Sequence, residues 1–217
     1  MNNEVFKFLK KDFVSDPFLT DRLFVSAFVK ENNFTVRHNK LLKKYIIKQT
    51  EKEEFNNLNK FIKFTQEKKI DLTFENLIGL FEFVISPADR VITGAIYTPL
   101  YIREFIIKHT LKNLSSNINK YQIADISCGC GGFLYNIAKE IKDRTKLSYS
   151  LIFSKCIFGL DIQPYSITRT KLLLSLLALS HGEDIPQFNF QLYTGDALSF
   201  KWDKIIDEFI GFDAIVG

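Results

Sequence analysis

The sequence predicts an α/β fold with an α-helical leader, and three observations carry that prediction. Before residue 90, apolar residues recur with a helical period. After residue 90, short apolar runs alternate with helical stretches of about 10–15 residues. A glycine-rich turn, Gly129 to Gly132, joins one of those runs to the next helix. Alternating strands and helices imply parallel pairing through right-handed crossovers. Residues 91–217 therefore read as a doubly wound α/β domain, or part of one, and residues 1–90 as a helical N-terminal domain.

In the leader, Asp16-Pro17 has the form of an N-cap followed by proline at the first helical position. Phe18, Leu19, Leu23, Phe24, Ala27 and Phe28 keep one face of the helix that follows. Thr50 with Glu53 reads as a capping box. Behind it, Phe55, Leu58, Phe61, Ile62 and Phe64 form the next stripe. A further helix fits Asp71 to Ile85, stopped by Ser86-Pro87, so four or five helices are expected in residues 2–86. The many phenylalanines are most simply core.

In the second part, Thr98-Pro99 opens a helix running to about Asn113. The expected strands are Tyr121–Ile126, Ile152–Leu160, Phe188–Tyr193 and Phe212–Val216. Helices are expected over residues 133–143 and, opened by Gln163-Pro164, from Tyr165 to Ser180.

Composition narrows the function classes. The chain has 217 residues, 46% hydrophobic and 25% charged, which excludes a disordered, collagen-like or disulfide-scaffold protein. Its three cysteines do not make a framework, which suits a reducing cytoplasm. No apolar run approaches ~18 residues, and the first residues lack the pattern of a signal peptide, so no membrane partner is expected. The net charge of +4 is mild. It is uneven, however: residues 37–69 hold 10 Lys/Arg against 4 Asp/Glu, whereas residues 94–217 hold 13 against 12. If the chain meets a polyanion, the first half, with Arg37 to Lys48, is therefore the place for it. That segment equally suits an exposed amphipathic face with Leu41, Leu42, Tyr45 and Ile46 turned inward.

The chemistry lies at the ends of the strands. Asp125-Ile-Ser-Cys-Gly-Cys-Gly-Gly-Phe133 leaves a strand, turns on glycines and enters a helix, a geometry that aims backbone N–H groups and a positive helix end at a ligand. The glycines at 129, 131 and 132 do not have dinucleotide-loop spacing, and no Gly-Lys-Ser/Thr follows. Asp161 closes the second strand, where a carboxylate can take both hydroxyls of a ribose. Asp196, after the third strand, can accept from an exocyclic amine of adenine. Three acidic residues at the C-terminal ends of successive parallel strands face one crevice, where such sheets bind ligands. Cys128, Cys130 and Cys156 fit no zinc spacing and read as buried loop cysteines. His38, His109 and His181 read as surface or capping residues.

This order of segments resembles the S-adenosylmethionine-dependent N6-adenine DNA methyltransferases of restriction–modification systems. The family's Tyr-Thr-Pro element corresponds to Gly94-Ala-Ile-Tyr-Thr-Pro99, and its glycine motif to Asp125–Phe133, with Ile126 for the usual proline and Cys130 for the usual serine. The likeness covers roughly residues 74–217. It implies a Rossmann-like methyltransferase sheet, present as its first four strands, with S-adenosylmethionine as cofactor. It also implies roles. Tyr97, Thr98 and Pro99 shape the pocket for the methionine end, and Asp125 receives the amino group. Cys128, Gly129 and Gly131 allow close backbone approach. Asp161 binds the ribose, Ile162 packs on the adenine, and Asp196 with Ala197 holds the adenine edge. Tyr97 also reads as a core aromatic.

The family's catalytic Asn-Pro-Pro-Tyr run follows a strand like Phe212-Asp-Ala-Ile-Val-Gly217. No catalytic residue is therefore expected within the chain, which reads as an inactive N-terminal, cofactor-binding fragment. Its last strand is expected to be an unpaired edge that favours self-association. The implied partners of the parent are double-stranded DNA and a specificity or nuclease subunit. Competing readings are an RNA or protein methyltransferase and a non-catalytic assembly module. An NAD-dependent oxidoreductase fits less well, because the glycine spacing is wrong.

Overall fold

The structure, a computed structural model, describes Val5, Phe8, Leu9 and residues 16–84, 98–112, 114 and 120–217. The expected helix stop at Ser86-Pro87 and the residues Ile85, Tyr97 and Asn113 lie outside that set. The chain divides into two compact units. One comprises Met1–Ile96 with Asp184–Gln187, the other Tyr97–Glu183 with Phe188–Gly217. Among the described residues no helix is long and apolar enough to cross a membrane.

The first unit is built on helix α1, Pro17–Glu31. Asp16 caps it as expected, its carboxylate accepting from the N–H groups of Phe18 and Leu19 (2.8 and 3.3 Å), with Pro17 in the first turn. Helices α2 (Lys40–Tyr45), α3 (Lys52–Glu67) and α4 (Phe74–Phe83) pack around α1. Phe24, Phe28, Phe61 and Phe81 are almost fully buried between them, each contributing about 1.5–3 kcal/mol of burial. The expected stripe of α3 is buried at Leu58, Phe61 and Ile62, with Thr65 in place of Phe64.

The expected capping box does not form. Glu51 occupies the N-cap of α3 and makes no side-chain cap bond. Its carboxylate is instead taken by Arg22 (2.7 Å) and by the N–H of Lys48 (2.7 Å). Arg22 is buried in α1 and also holds Glu54, so the demand of a buried guanidinium overrides the local cap. Helix α4 starts later than expected, with Thr73 as its cap.

The second unit is the expected parallel α/β sheet. Its strands are β1 (Ile123–Asp125), β2 (Ile157–Asp161), β3 (Gln191–Thr194) and β4 (Ala214–Val216), in the order β3-β2-β1-β4, all parallel. Helix α5 (Leu100–Lys112) precedes β1, α6 (Gly132–Thr145) follows it, and α7 (Pro164–Ser180) joins β2 to β3. Both α6 and α7 pack on β2 and on each other, while α5 packs on α6 and β4. The second half of helix α7, Leu172 through Leu179, is apolar almost all round and buried.

Every strand is shorter than its sequence suggests. The largest difference is Ile152–Cys156, which forms a π-helical turn rather than the first half of β2. Ser148 caps Leu151, and the Glu183 carboxylate accepts from the N–H groups of Tyr149 and Ser150, so a helical turn is started just before it. A buried apolar run has no periodicity that separates the two outcomes. Phe188 meets Phe153 edge-on and Phe190 stacks on it instead of pairing in β3. Strand β4 lies at one edge of the described sheet.

Candidate functional site

Strand β1 ends at Asp125, which is 2% exposed. Its Oδ1 accepts from the N–H of Ser127 (3.1 Å), which turns the chain into the glycine loop. Burial pushes the Asp125 carboxyl up to about 7; the Ser127 bond opposes this, and the nearby charge of Asp161 adds to it.

The loop is stitched to the end of β2. Cys128 N–H donates to the Leu160 carbonyl (2.9 Å) and Gly129 N–H to Asp161 Oδ2 (2.9 Å). Thr170 Oγ1, from the buried middle of α7, donates to the Gly129 carbonyl (3.0 Å). Gly131 N–H donates to the Cys128 carbonyl (2.8 Å). Gly131 caps α6 at φ +87°, and a Cβ there would stand 2.8 Å from Thr170 Cγ2. A Cβ on Gly132 would stand 1.9 Å from the Arg103 guanidinium. Gly131 is therefore required by its left-handed backbone as well as by the close approach of Thr170, whereas a side chain at Gly132 would have to displace the buried Arg103 guanidinium.

The N–H groups of Ser127, Cys128, Gly129 and Gly131 are thus all engaged within the protein. Burial, with the charges of Asp125 and Asp161 adding to it, holds the Cys128 thiol well above its usual range and keeps it protonated. All three cysteines are buried. No group of three or more His, Cys, Asp or Glu among the described residues is placed to hold a metal.

Asp161 is the hub of the site. Its second oxygen accepts from Gln163 N–H at the start of α7 (2.8 Å), and its carbonyl accepts from Gly195 N–H after β3 (3.0 Å). One residue thus ties together the loops that follow β1, β2 and β3. Each carboxylate oxygen carries one such bond and keeps a further lone pair. Ile162 beside it is 59% exposed, and Asp196 and Ala197 are exposed beyond β3. Asp196 Oδ1 accepts from Leu198 N–H (3.0 Å). Thr98 is half-buried and Pro99 exposed at the head of α5; the Pro99 carbonyl accepts from Ile102 and Arg103 N–H (3.0 Å each). Arg103, one turn further on, reaches Gly132 and so sets α5 against the glycine loop. Strand β4 pairs Val216 with Asp125.

Sequence reasoning did not single out Thr170, Arg103 or Ser127. Thr170 carries no distinguishing signal in the sequence, since it lies among other polar residues, Thr168, Arg169 and Lys171.

Residues 80–217 match the N-6 DNA methylase family. The chain belongs to this family. No curated protein matches it. Among solved structures it is similar to a modification subunit of a putative type I restriction enzyme from Vibrio vulnificus YJ016. The identity is 16% and the TM-score 0.36, over 73% of this chain and 27% of that one. The chain thus spans about a quarter of the length of that subunit. The N-6 DNA methylase match contains the whole glycine loop, Asp161 and Asp196, and it begins inside α4.

Proposed function

We propose that the chain carries the S-adenosylmethionine-binding part of a DNA adenine-N6 methyltransferase of a restriction–modification system. The observation that supports this most is the junction at Asp161: its carboxylate, with spare acceptor capacity, holds the loops after β1 and β2, and its backbone carbonyl accepts from Gly195 N–H after β3. The residues present fit this cofactor chemically. A buried carboxyl with raised proton affinity suits an ammonium group, and a carboxylate with two usable oxygens suits a ribose diol. An exposed apolar side chain suits the face of a purine, and an exposed carboxylate suits its amine.

The roles follow. Asp125 receives the amino group, losing its proton to do so. Thr98 donates to the carboxylate at the N-terminus of α5, where the helix dipole favours an anion. Asp161 accepts from both ribose hydroxyls while it keeps the glycine loop closed. Ile162 covers one face of the adenine, and Asp196, beside Ala197, accepts from its amine. Tyr97 contributes to the methionine end. Cys128, Gly129 and Gly131 keep the loop thin enough for the ligand to lie against it. When bound, the cofactor supplies an electrophilic methyl group on a sulfonium. The chain's own residues hold and orient it, which is the larger part of what such a displacement needs from a protein. The partners this reading implies are double-stranded DNA and a specificity or nuclease subunit.

Calorimetric titration with S-adenosylhomocysteine, with NAD as control, tests the reading. Saturable binding of the first and none of the second is expected. Binding of NAD alone, or of neither by a chain folded by circular dichroism, would overturn it.

A further inference from the structure

We infer that the first unit carries a second binding surface, a strip of basic side chains that docks on the phosphate backbone of double-stranded DNA. The strip is Arg37, Lys40, Lys43, Lys44 and Lys48, all exposed. Its geometry is set by α2. Asn39 is buried and caps the helix through Leu42 N–H (2.8 Å), while Leu42 and Tyr45 turn into the core. That fixes the rotation of the helix and leaves Lys40, Lys43 and Lys44 on its solvent side. They stand at the i, i+3 and i, i+4 spacings that bring side chains together.

The neighbouring acids compensate the strip only in part: the Lys48 charge acts on Glu51, which also accepts from Lys48 N–H. Asp184 is gripped by the N–H groups of three successive residues, Arg37, His38 and Asn39. Glu51 and Glu54 are taken up by Arg22. Among the described residues none of the five strip side chains forms an ion pair. Counting Arg22 with the strip against these three carboxylates leaves three positive charges in excess.

Like charges at helical neighbour spacing repel, and nothing in the packing of α2 requires lysine there. A local cost without structural compensation points to a ligand. The ligand chemistry that fits is a repeated, closely spaced anion, since duplex DNA carries one charge per about 1.7 Å of axis. Preferring DNA over other polyanions rests on the proposed function.

The test is fluorescence anisotropy of the full chain on a duplex of mixed sequence, as a function of salt. The variant Lys40→Ala/Lys43→Ala/Lys44→Ala is compared with Lys60→Ala/Lys63→Ala/Lys155→Ala, which removes the same charge at other exposed positions. The strip variant is expected to bind at least about tenfold more weakly at low salt. Its slope of log K against log salt should fall by about 2–3, near 0.9 for each phosphate no longer neutralised. The control should keep both affinity and slope. Equal losses in the two variants, or no loss in either, would overturn the inference. So would tighter strip-dependent binding to vesicles of anionic lipid than to the duplex. Titration of the same strip variant with S-adenosylhomocysteine separates this from the proposed function. Retained cofactor-analogue binding with unchanged DNA affinity removes the strip alone, and strip-dependent DNA binding without cofactor-analogue binding removes the methyltransferase reading alone.

Discussion

Asp161 combines two duties that a substitution separates. Asp161→Ala removes the proposed ribose acceptor and also releases Gly129 and Gln163 N–H. Affinity for S-adenosylhomocysteine should fall by ~1.5–3 kcal/mol, read by calorimetry; an unchanged affinity would break the assignment. Asp125 makes a pH prediction. With its carboxyl at about 7, it is protonated below that pH and must ionise to accept an ammonium. Affinity should therefore rise with pH up to about 7 and then level, by at most about tenfold per unit below it. A flat profile from about pH 5.5 to 7.5 would remove Asp125 from the amino-group site. The stability effect of this residue runs the other way. Between about pH 4 and 7 the folded chain holds a proton that the unfolded chain releases, so its contribution declines as pH rises across that window. Gly131→Ala places a Cβ against Thr170 at a left-handed φ. It should cost ~1–3 kcal/mol in urea unfolding.

Among the elements, the segment Asp184–Gln187 is the least expected feature. It follows α7 in sequence yet packs with the first unit, where Pro186 accepts from Lys40 N–H (3.0 Å) and Asp184 takes three N–H groups. Burial raises the Asp184 pKa somewhat, but the bonds from Arg37, Asn39 and His38 outweigh it, and the net shift is downward. Its contribution is therefore present above the ordinary aspartate range and is lost as pH falls through the lowered folded value. Asp184→Ala should destabilise the chain by ~1–3 kcal/mol at neutral pH. In urea unfolding at acid pH the variant and the parent should converge; a difference that persists there would place the effect elsewhere. The π-helical turn at Ile152–Cys156 has a comparable origin, since Glu183 holds Tyr149 N–H while pairing with Lys142 (3.1 Å).

At the scale of the molecule, the two units have separate cores, and every described member of the proposed cofactor site belongs to the second. A ligand that binds only the folded form stabilises it by mass action. S-adenosylhomocysteine at ~100 times its Kd should therefore raise the stability of the second unit by ~2.7 kcal/mol. The basic excess of residues 37–69 lies in the first unit, so the chain separates the proposed cofactor chemistry from the proposed DNA contact.

Cap–proline signals and apolar patterning were enough to place the helices Pro17–Glu31, Leu100–Lys112 and Pro164–Ser180 to within a few residues, because both are local properties. The strand–turn–helix order was equally legible, and with it the position of three acidic residues at the ends of three parallel strands. Strand lengths were not, since pairing depends on which neighbour lies alongside. Glu51 illustrates the limit: read locally it lies inside a Thr50–Glu53 capping box, but it becomes the N-cap itself and a buried arginine from another helix claims its carboxylate. Thr170 and Arg103 illustrate it at the site, being distant in sequence and recognisable only once α7 and α5 pack against the glycine loop. The sequence by itself determined the order of the elements and the chemical type of each strand-end residue. Only the tertiary structure decided that the loop's N–H groups are used internally and that Asp161 joins three strand ends. Those bonds form between segments that no local pattern connects.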